Sequence, residues 1–267
     1  MGVLNVTPDS FADGGEFLDT RRALAQAERL RLAGADLIDV GGESTRPGAA
    51  AVSADEELAR VLPVVKELVR QGAIVSVDTS KAEVMRAVLD EGAHLINDVH
   101  ALQRPMSLAT VAQSEAAVCL MHMQGVPQTM QTAPQYAAVV TDVKDFLGDR
   151  LAACEAAGIA RARLLVDPGF GFGKTLEHNL SLLRELSALQ SLGVPVLAGL
   201  SRKSLLGALT GRSVGERLAG SLALAYAALV GGARIIRAHD VAETVDVLKV
   251  WCSLQSAGEG RQDQRDA

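Results

Sequence analysis

Acid, amide and cationic side chains recur along this chain at long intervals, each group closing a short apolar run: Asn5, Glu43-Ser44-Thr45-Arg46, Asp78, Asn97-Asp98, Met121-His122, Asp167, Ser201-Arg202-Lys203-Ser204, and Arg237 with His239. Carboxylates accept hydrogen bonds, amides pair in both directions, and arginine, lysine and histidine hold anions. Gathered in one place, such a set recognises a polar heterocycle that carries phosphate. Taken singly, each residue has a local explanation. Asp78 or Asp98 caps the following helix, as Thr79 or Ser80 also could, and Arg237 with His239 forms a surface ion pair with Asp240 or caps a helix. The elements that carry these residues decide between the two readings.

Eight β-type runs are legible: Gly2 to Val6, Leu37 to Val40, Ile74 to Val77, Leu95 to Val99, Ala117 to Met121, Leu164 to Asp167, Val194 to Ala198 and Ile235 to Arg237. Segments of helical period lie between them, at Thr20–Ala33, Ala54–Arg70, Lys81–Glu91, Tyr136–Ala157, Leu176–Ser191, Val214–Val230 and Val241–Leu254. Glycines at 34, 72, 92, 158, 193 and 231–232 precede strands, as left-handed helix ends require, and only the Ser114-Glu115 junction lacks one. Consecutive βα units without a linker favour a closed (β/α)8 barrel, an α/β fold of one domain over residues 1–255, over a doubly wound sheet. Residues 256–267 lack apolar period and read as a polar C-terminal tail. In such a barrel the loops after the strands share one mouth, so the polar strand ends above converge.

Composition narrows the partners. The 267 residues carry a formal net charge of -6, with 48% hydrophobic and 3% aromatic residues, which opposes nonspecific attraction to nucleic acid or anionic lipid and supports a large aliphatic core. Any anion must then be held locally. Cys119, Cys154 and Cys252 show no paired spacing and read as reduced, buried thiols of a cytoplasmic protein. The apolar stretch from Ala219 to Ile236 is interrupted by Gly231-Gly232 and Arg234, and no secretory leader is apparent at the start, so neither membrane nor export is expected.

Three loops stand out. Asn5 to Gly15 offers metal-capable oxygens, Phe11 and hinge glycines, and Gly41 to Gly48 offers hydroxyl and guanidinium donors; both also suit ordinary turns. Asp167-Pro-Gly-Phe-Gly-Phe-Gly-Lys174 fails the phosphate-loop and dinucleotide patterns, because Pro168 stands where glycine is needed and the glycines are too closely spaced. It reads as a wall in which glycines permit close backbone approach and Phe170 or Phe172 presents a ring face.

The motifs Asn5-Val-Thr-Pro-Asp-Ser-Phe, Asp39-Val-Gly-Gly-Glu-Ser-Thr-Arg-Pro-Gly48, Ser76-Val-Asp-Thr-Ser80, Asp167-Pro-Gly-Phe-Gly-Phe-Gly and Ser201-Arg-Lys-Ser together resemble the dihydropteroate synthases, over almost the whole chain. That family usually has residues ahead of this Met1, a departure that bears on the barrel floor and not on the mouth. The resemblance implies a transferase of folate biosynthesis that condenses 6-hydroxymethyl-7,8-dihydropterin diphosphate with 4-aminobenzoate, releases pyrophosphate and uses Mg2+. It implies a pterin pocket of Asp78, Asn97, Asp167 and Lys203, with Asp78, Asp167 and Lys203 catalytic. It also implies a diphosphate clamp of Asn5, Thr45, Arg237 and His239, with Asn5 as the metal ligand. The 4-aminobenzoate subsite would take Phe11, Arg46, Pro47, Phe172 and Ser204, and sulfonamides, which mimic that substrate, would inhibit.

Met121 reads as packing on the pterin face or as core, His122 as supporting loop packing or the phosphate side, and His94, His100 and His178 as structural. A homodimer formed through helices away from the mouth is implied as well. Two other readings stay open. A pterin-binding methyltransferase domain shares the pocket but needs no diphosphate clamp, and a non-catalytic barrel would bind pterin without turnover.

Overall fold

A computed structural model of the chain describes residues 1–7, 16–44, 51–126 and 129–259. Strands and helices alternate as β1 Gly2–Asn5, α1 Glu16–Leu32, β2 Ile38–Gly41, α2 Ala54–Arg70, β3 Val75–Asp78, α3 Ala82–Asp90, β4 Leu95–Asp98, α4 Ser107–Ala112, β5 Ala117–Met121, α5 Val139–Ala156, β6 Leu164–Asp167, α6 Leu176–Arg184, β7 Leu197–Ala198, α7 Ser204–Thr210, α8 Leu218–Val230, β8 Ile235–Ile236 and α9 Val241–Glu259. Strands β1 to β6 pair in parallel in chain order, and β7 pairs with β8. Parallel bridges between Val166 and Val196 and between Gly2 and Ala238 join the two sheets into a ring. The seams are hydrogen-bonded, with the Val166 N–H donating to Pro195 O and the Ala238 N–H to Met1 O, both at 3.0 Å. This is the expected (β/α)8 barrel.

Strand alternation builds two cores. Outward-facing Val40, Val77, Ile96, Val118, Leu120, Val166 and Ala198 pack under the helices in one large cluster. Inward-facing Leu95, Cys119, Leu165 and Leu197 form a smaller plug inside the barrel, flanked by Met1, Leu37, Ala117 and Ile235. Two residues further along the same inward parity come Asp39, Asn97, Met121, Asp167 and Arg237, so a polar layer rests on an apolar floor.

Local chemistry explains most boundaries. Ser53 caps α2 by accepting the Glu56 N–H at 3.2 Å, and acidic Asp55, Glu56 and Glu57 occupy its positive end. All the expected helix-ending glycines adopt positive φ, from Gly34 at 97° to Gly232 at 98°, except Gly231, which is right-handed and passes the role to its neighbour.

Several expectations change. Helices α4 and α7 have six and seven residues and carry too little period to be read in advance. The run expected over Leu176–Ser191 splits at Glu185 into α6 and a 3-10 segment, Leu186–Leu192. Helix α9 continues to Glu259, beyond the expected tail boundary. Cys119 and Cys154 are buried free thiols as expected, but Cys252 is exposed, because α9 turns it away from the barrel. Among the described residues, no helix is long and apolar enough to cross a membrane.

Candidate active site at the barrel mouth

Strand register brings the polar ends level: Asn5 pairs with Gly41, Gly41 with Asp78, Asp78 with Asn97, and Met121 with Asp167. Gly41 lies between two of them: its Cβ position is in ordinary contact with the Asp78 Cβ at 3.6 Å and with Asn5 Oδ1 at 3.8 Å. Arg237, just past β8, crosses the mouth. Its Nε donates to Asp39 Oδ2 at 2.6 Å and its Nη2 to Asp78 Oδ2 at 3.0 Å. Asp39 is wholly buried and also accepts from Ser76 Oγ at 2.5 Å and Asn97 Nδ2 at 3.2 Å. The Nη1 donors of Arg237 are not used in either ion pair.

These contacts set the charge states. Burial pushes the Asp78 carboxyl up to about 7, with Arg237 opposing and Asp39 adding to the rise. Burial works against the Arg237 cation, yet Asp39 and Asp78 outweigh it and raise its pKa. The surface ion pair considered for Arg237 is overturned: Asp240 pairs instead with Arg202, whose Nε donates at 2.9 Å, while Arg237 turns inward. His239 stays at the mouth, its N–H donating to Ser201 Oγ at 3.2 Å and its Nδ1 lying 3.1 Å from the same oxygen.

On the opposite rim, Asp167 is buried and its Oδ1 accepts the Gly169 N–H at 2.7 Å. Burial raises its pKa, against the pull of Lys203. Lys203 donates from Nζ to Phe170 O and lies 4.7 Å over the Phe172 ring. Burial lowers its pKa to about 8, with Asp167 opposing. A Cβ on Gly199 would lie 3.9 Å from both Lys203 Nζ and Arg237 Cδ, so the two cations flank one point at the end of β7. Asp78, Asn97, Asp167, Lys203 and Arg237 thus share one mouth.

The wall reading of residues 167–174 holds in part. Gly169, Gly171 and Gly173 all have positive φ, and a Cβ on Gly169 or Gly173 would run into His122 O or Gln124 O. Phe170 is fully buried, so it cannot present a ring face, and that part falls to Phe172. Met121 is buried, with its Cγ 3.3 Å from the Cβ position of Gly169. Ser204 is exposed at the first position of α7. Phe11, Thr45, Arg46 and Pro47 lie outside the described residues.

Asp98 does not cap the following helix, since α4 begins only at Ser107 with Met106 as its N-cap; it organises its own turn instead, accepting from Ser80 Oγ at 2.5 Å and from the His100 and Leu102 N–H groups. The histidines read as structural behave so. His94 Nδ1 accepts the Val75 N–H at 3.2 Å, and His178 completes the capping box of α6 with Thr175.

Two groups escaped the sequence reading. Asp39 was visible within its motif, and the signal was parity: an acid in mid-strand on the inward face needs a buried partner. Lys174, only 3% exposed, gave no periodic signal. Its Nζ lies 2.9 Å from His122 Nδ1, and burial pulls its pKa down to about 7. Burial, then the Lys174 charge, pushes His122 to about 3, so its ring is neutral and can accept.

The pterin binding enzyme family matches residues 1–239. The chain is 51% identical to the dihydropteroate synthase of Escherichia coli strain K12 over 262 residues, covering 98% of this chain and 93% of that protein. Among solved structures it is similar to a Yersinia pestis dihydropteroate synthase in a sulfonamide drug complex, with a TM-score of 0.91, 51% identity, and 96% and 94% of the two chains covered. It is also similar to a Xanthomonas albilineans dihydropteroate synthase with 4-aminobenzoic acid, with a TM-score of 0.90, 53% identity, and 96% and 92% covered.

Proposed function

Since the chain belongs to the pterin binding enzyme family and is a dihydropteroate synthase within it, we propose that the barrel mouth divides the reaction among three groups of its own residues. The enzyme joins 6-hydroxymethyl-7,8-dihydropterin diphosphate to 4-aminobenzoate and releases pyrophosphate. Asp78 and Asp167 accept from the amino and ring N–H donors of the pterin, and Asn97 and Lys203 serve its carbonyl and ring-nitrogen acceptors. Each such group left unpaired in the pocket costs about 1 to 3 kcal/mol, which makes the set selective. Met121 packs beneath the ring. The observation that carries this reading is the convergence of two carboxylates, an amide and two cations from β3, β4, β6, β7 and β8 on one opening.

As the bond from the pterin methylene carbon to the diphosphate oxygen breaks, its electron pair leaves with the diphosphate and positive charge spreads into the ring. Asp78 and Asp167 favour that charge. Arg237, through its remaining donors, and His239 hold the leaving anion together with Thr45. The amine of 4-aminobenzoate then forms the new C–N bond and loses a proton. That substrate lies over Phe172 with Phe11, Arg46 and Pro47, and its carboxylate meets Ser204.

Asn5 is the residue we assign to Mg2+. Its carboxamide oxygen is a hard neutral donor at the rim, and no group of three or more acidic, histidine or cysteine residues suited to a metal is present among the described residues. That donor set fits an ion held mainly by diphosphate and water. When bound, Mg2+ supplies charge neutralisation at the diphosphate.

The rate should fall at least about tenfold when EDTA replaces free Mg2+, and sulfonamide should raise the KM for 4-aminobenzoate without changing kcat. A chelator-insensitive rate removes the metal assignment, and inhibition that excess 4-aminobenzoate does not relieve removes the subsite.

A homodimer and a cytoplasmic location complete the reading. Exposed Leu218, Tyr226, Val230, Val250 and Leu254 on α8 and α9 support the first, and the unpaired cysteines support the second. Sedimentation at the mass of one chain would remove the dimer.

A further inference from the structure

The Lys174 amine sits behind the mouth, touches no proposed substrate, and is surrounded by acceptors from two elements. It donates to Gly169 O and Phe172 O at 3.0 Å each, within its own turn, and to His122 O at 3.3 Å, at the end of β5; the neutral His122 Nδ1 lies at 2.9 Å. A buried amine needs such contacts to offset the water it has lost. Tyr136 Oη donates to Gly173 O at 2.7 Å and closes the other side of the turn.

The carbonyls that Lys174 fixes alternate with groups that face the mouth. The Gly169 N–H holds the Asp167 carboxylate, Phe170 O accepts Lys203 Nζ, and the Phe172 ring lies beneath the same nitrogen. With Gly169, Gly171 and Gly173 in the chain, the turn has little stiffness of its own. We propose that Lys174 is a positioning residue: its buried amine staples residues 169–173 to the end of β5 and thereby sets where Asp167 and Lys203 meet the pterin. The inference rests on the reading of Asp167 and Lys203 as pterin ligands. Asn5, Arg237 and His239, which serve the diphosphate, hang on other strands and do not depend on this staple.

Lys174→Met keeps the chain length and removes every donor. Calorimetric titration with 6-hydroxymethyl-7,8-dihydropterin should give a Kd at least about tenfold weaker than wild type, while Mg2+ pyrophosphate binds within about twofold. Lys174→Gln, whose amide can reach part of the same carbonyl set, should fall between the two and stands in if the methionine variant does not fold. Lys203→Met is measured alongside. Unchanged pterin binding in Lys203→Met overturns the pocket assignment itself. Weakened binding there with wild-type binding in the folded Lys174 variant overturns the staple, as does an equal loss of both ligands.

Discussion

An Asp167→Asn enzyme is expected to keep its fold and lose about two orders of magnitude in kcat/KM for dihydropterin diphosphate. The asparagine oxygen can still accept the Gly169 N–H, which Asp167 Oδ1 accepts at 2.7 Å, so the loop geometry survives. That leaves the amide NH2 where the second carboxylate oxygen stood, and a donor then faces the donor edge of the pterin. A lost hydrogen bond to a charged group costs about 1.5 to 3 kcal/mol, and a misplaced buried donor adds to it. Loss of the negative charge also removes electrostatic support for the cationic methylene in the transition state. Steady-state kinetics at saturating 4-aminobenzoate, with a thermal melt as control, decide the matter. A folded variant within about threefold of wild type would exclude Asp167 from the pocket.

Arg237→Met should damage stability as well as turnover. The guanidinium is the counter-charge for both Asp39 and Asp78, and removing one partner of a buried ion pair typically costs about 3 to 5 kcal/mol. The sign with pH follows from Asp78. Its folded pKa, about 7, exceeds its ordinary value, so between those limits the folded protein binds more protons than the unfolded chain and stability falls as pH rises. Without Arg237 the upper edge of that window moves higher and the deficit grows toward alkaline pH. Urea melts of the variant should therefore improve as pH drops through that pKa, from roughly 8 to roughly 6. Adding Asp39→Asn should recover part of the loss. A variant as stable as wild type at both ends would mean that the Asp39–Arg237–Asp78 bridge contributes nothing.

The barrel was legible because its signals are local and repeated. Every strand ends an apolar run, and glycines such as Gly34, Gly92 and Gly158 sit where only positive φ closes a helix. That Asp78, Asn97, Asp167, Lys203 and Arg237 come together could be read in advance because strand ends share one mouth in this topology. What stayed hidden depends on contacts between distant segments. Asp39 and Arg237 are 198 residues apart, and nothing near Lys174 in sequence says that His122, across the β5–β6 seam, is its partner. Phe170 and Phe172 look alike in the chain, and only packing separates the buried ring from the one beneath Lys203. Short α4 and α7 carry too few turns for a period to show.

The most direct measurement follows both products in one reaction. With dihydropterin diphosphate, 4-aminobenzoate and Mg2+, pyrophosphate and dihydropteroate should appear in equal amounts, and Arg237→Met and Lys203→Met should each lower both together. Tight pterin binding with no pyrophosphate released, or product formation that these two residues leave untouched, would contradict the account.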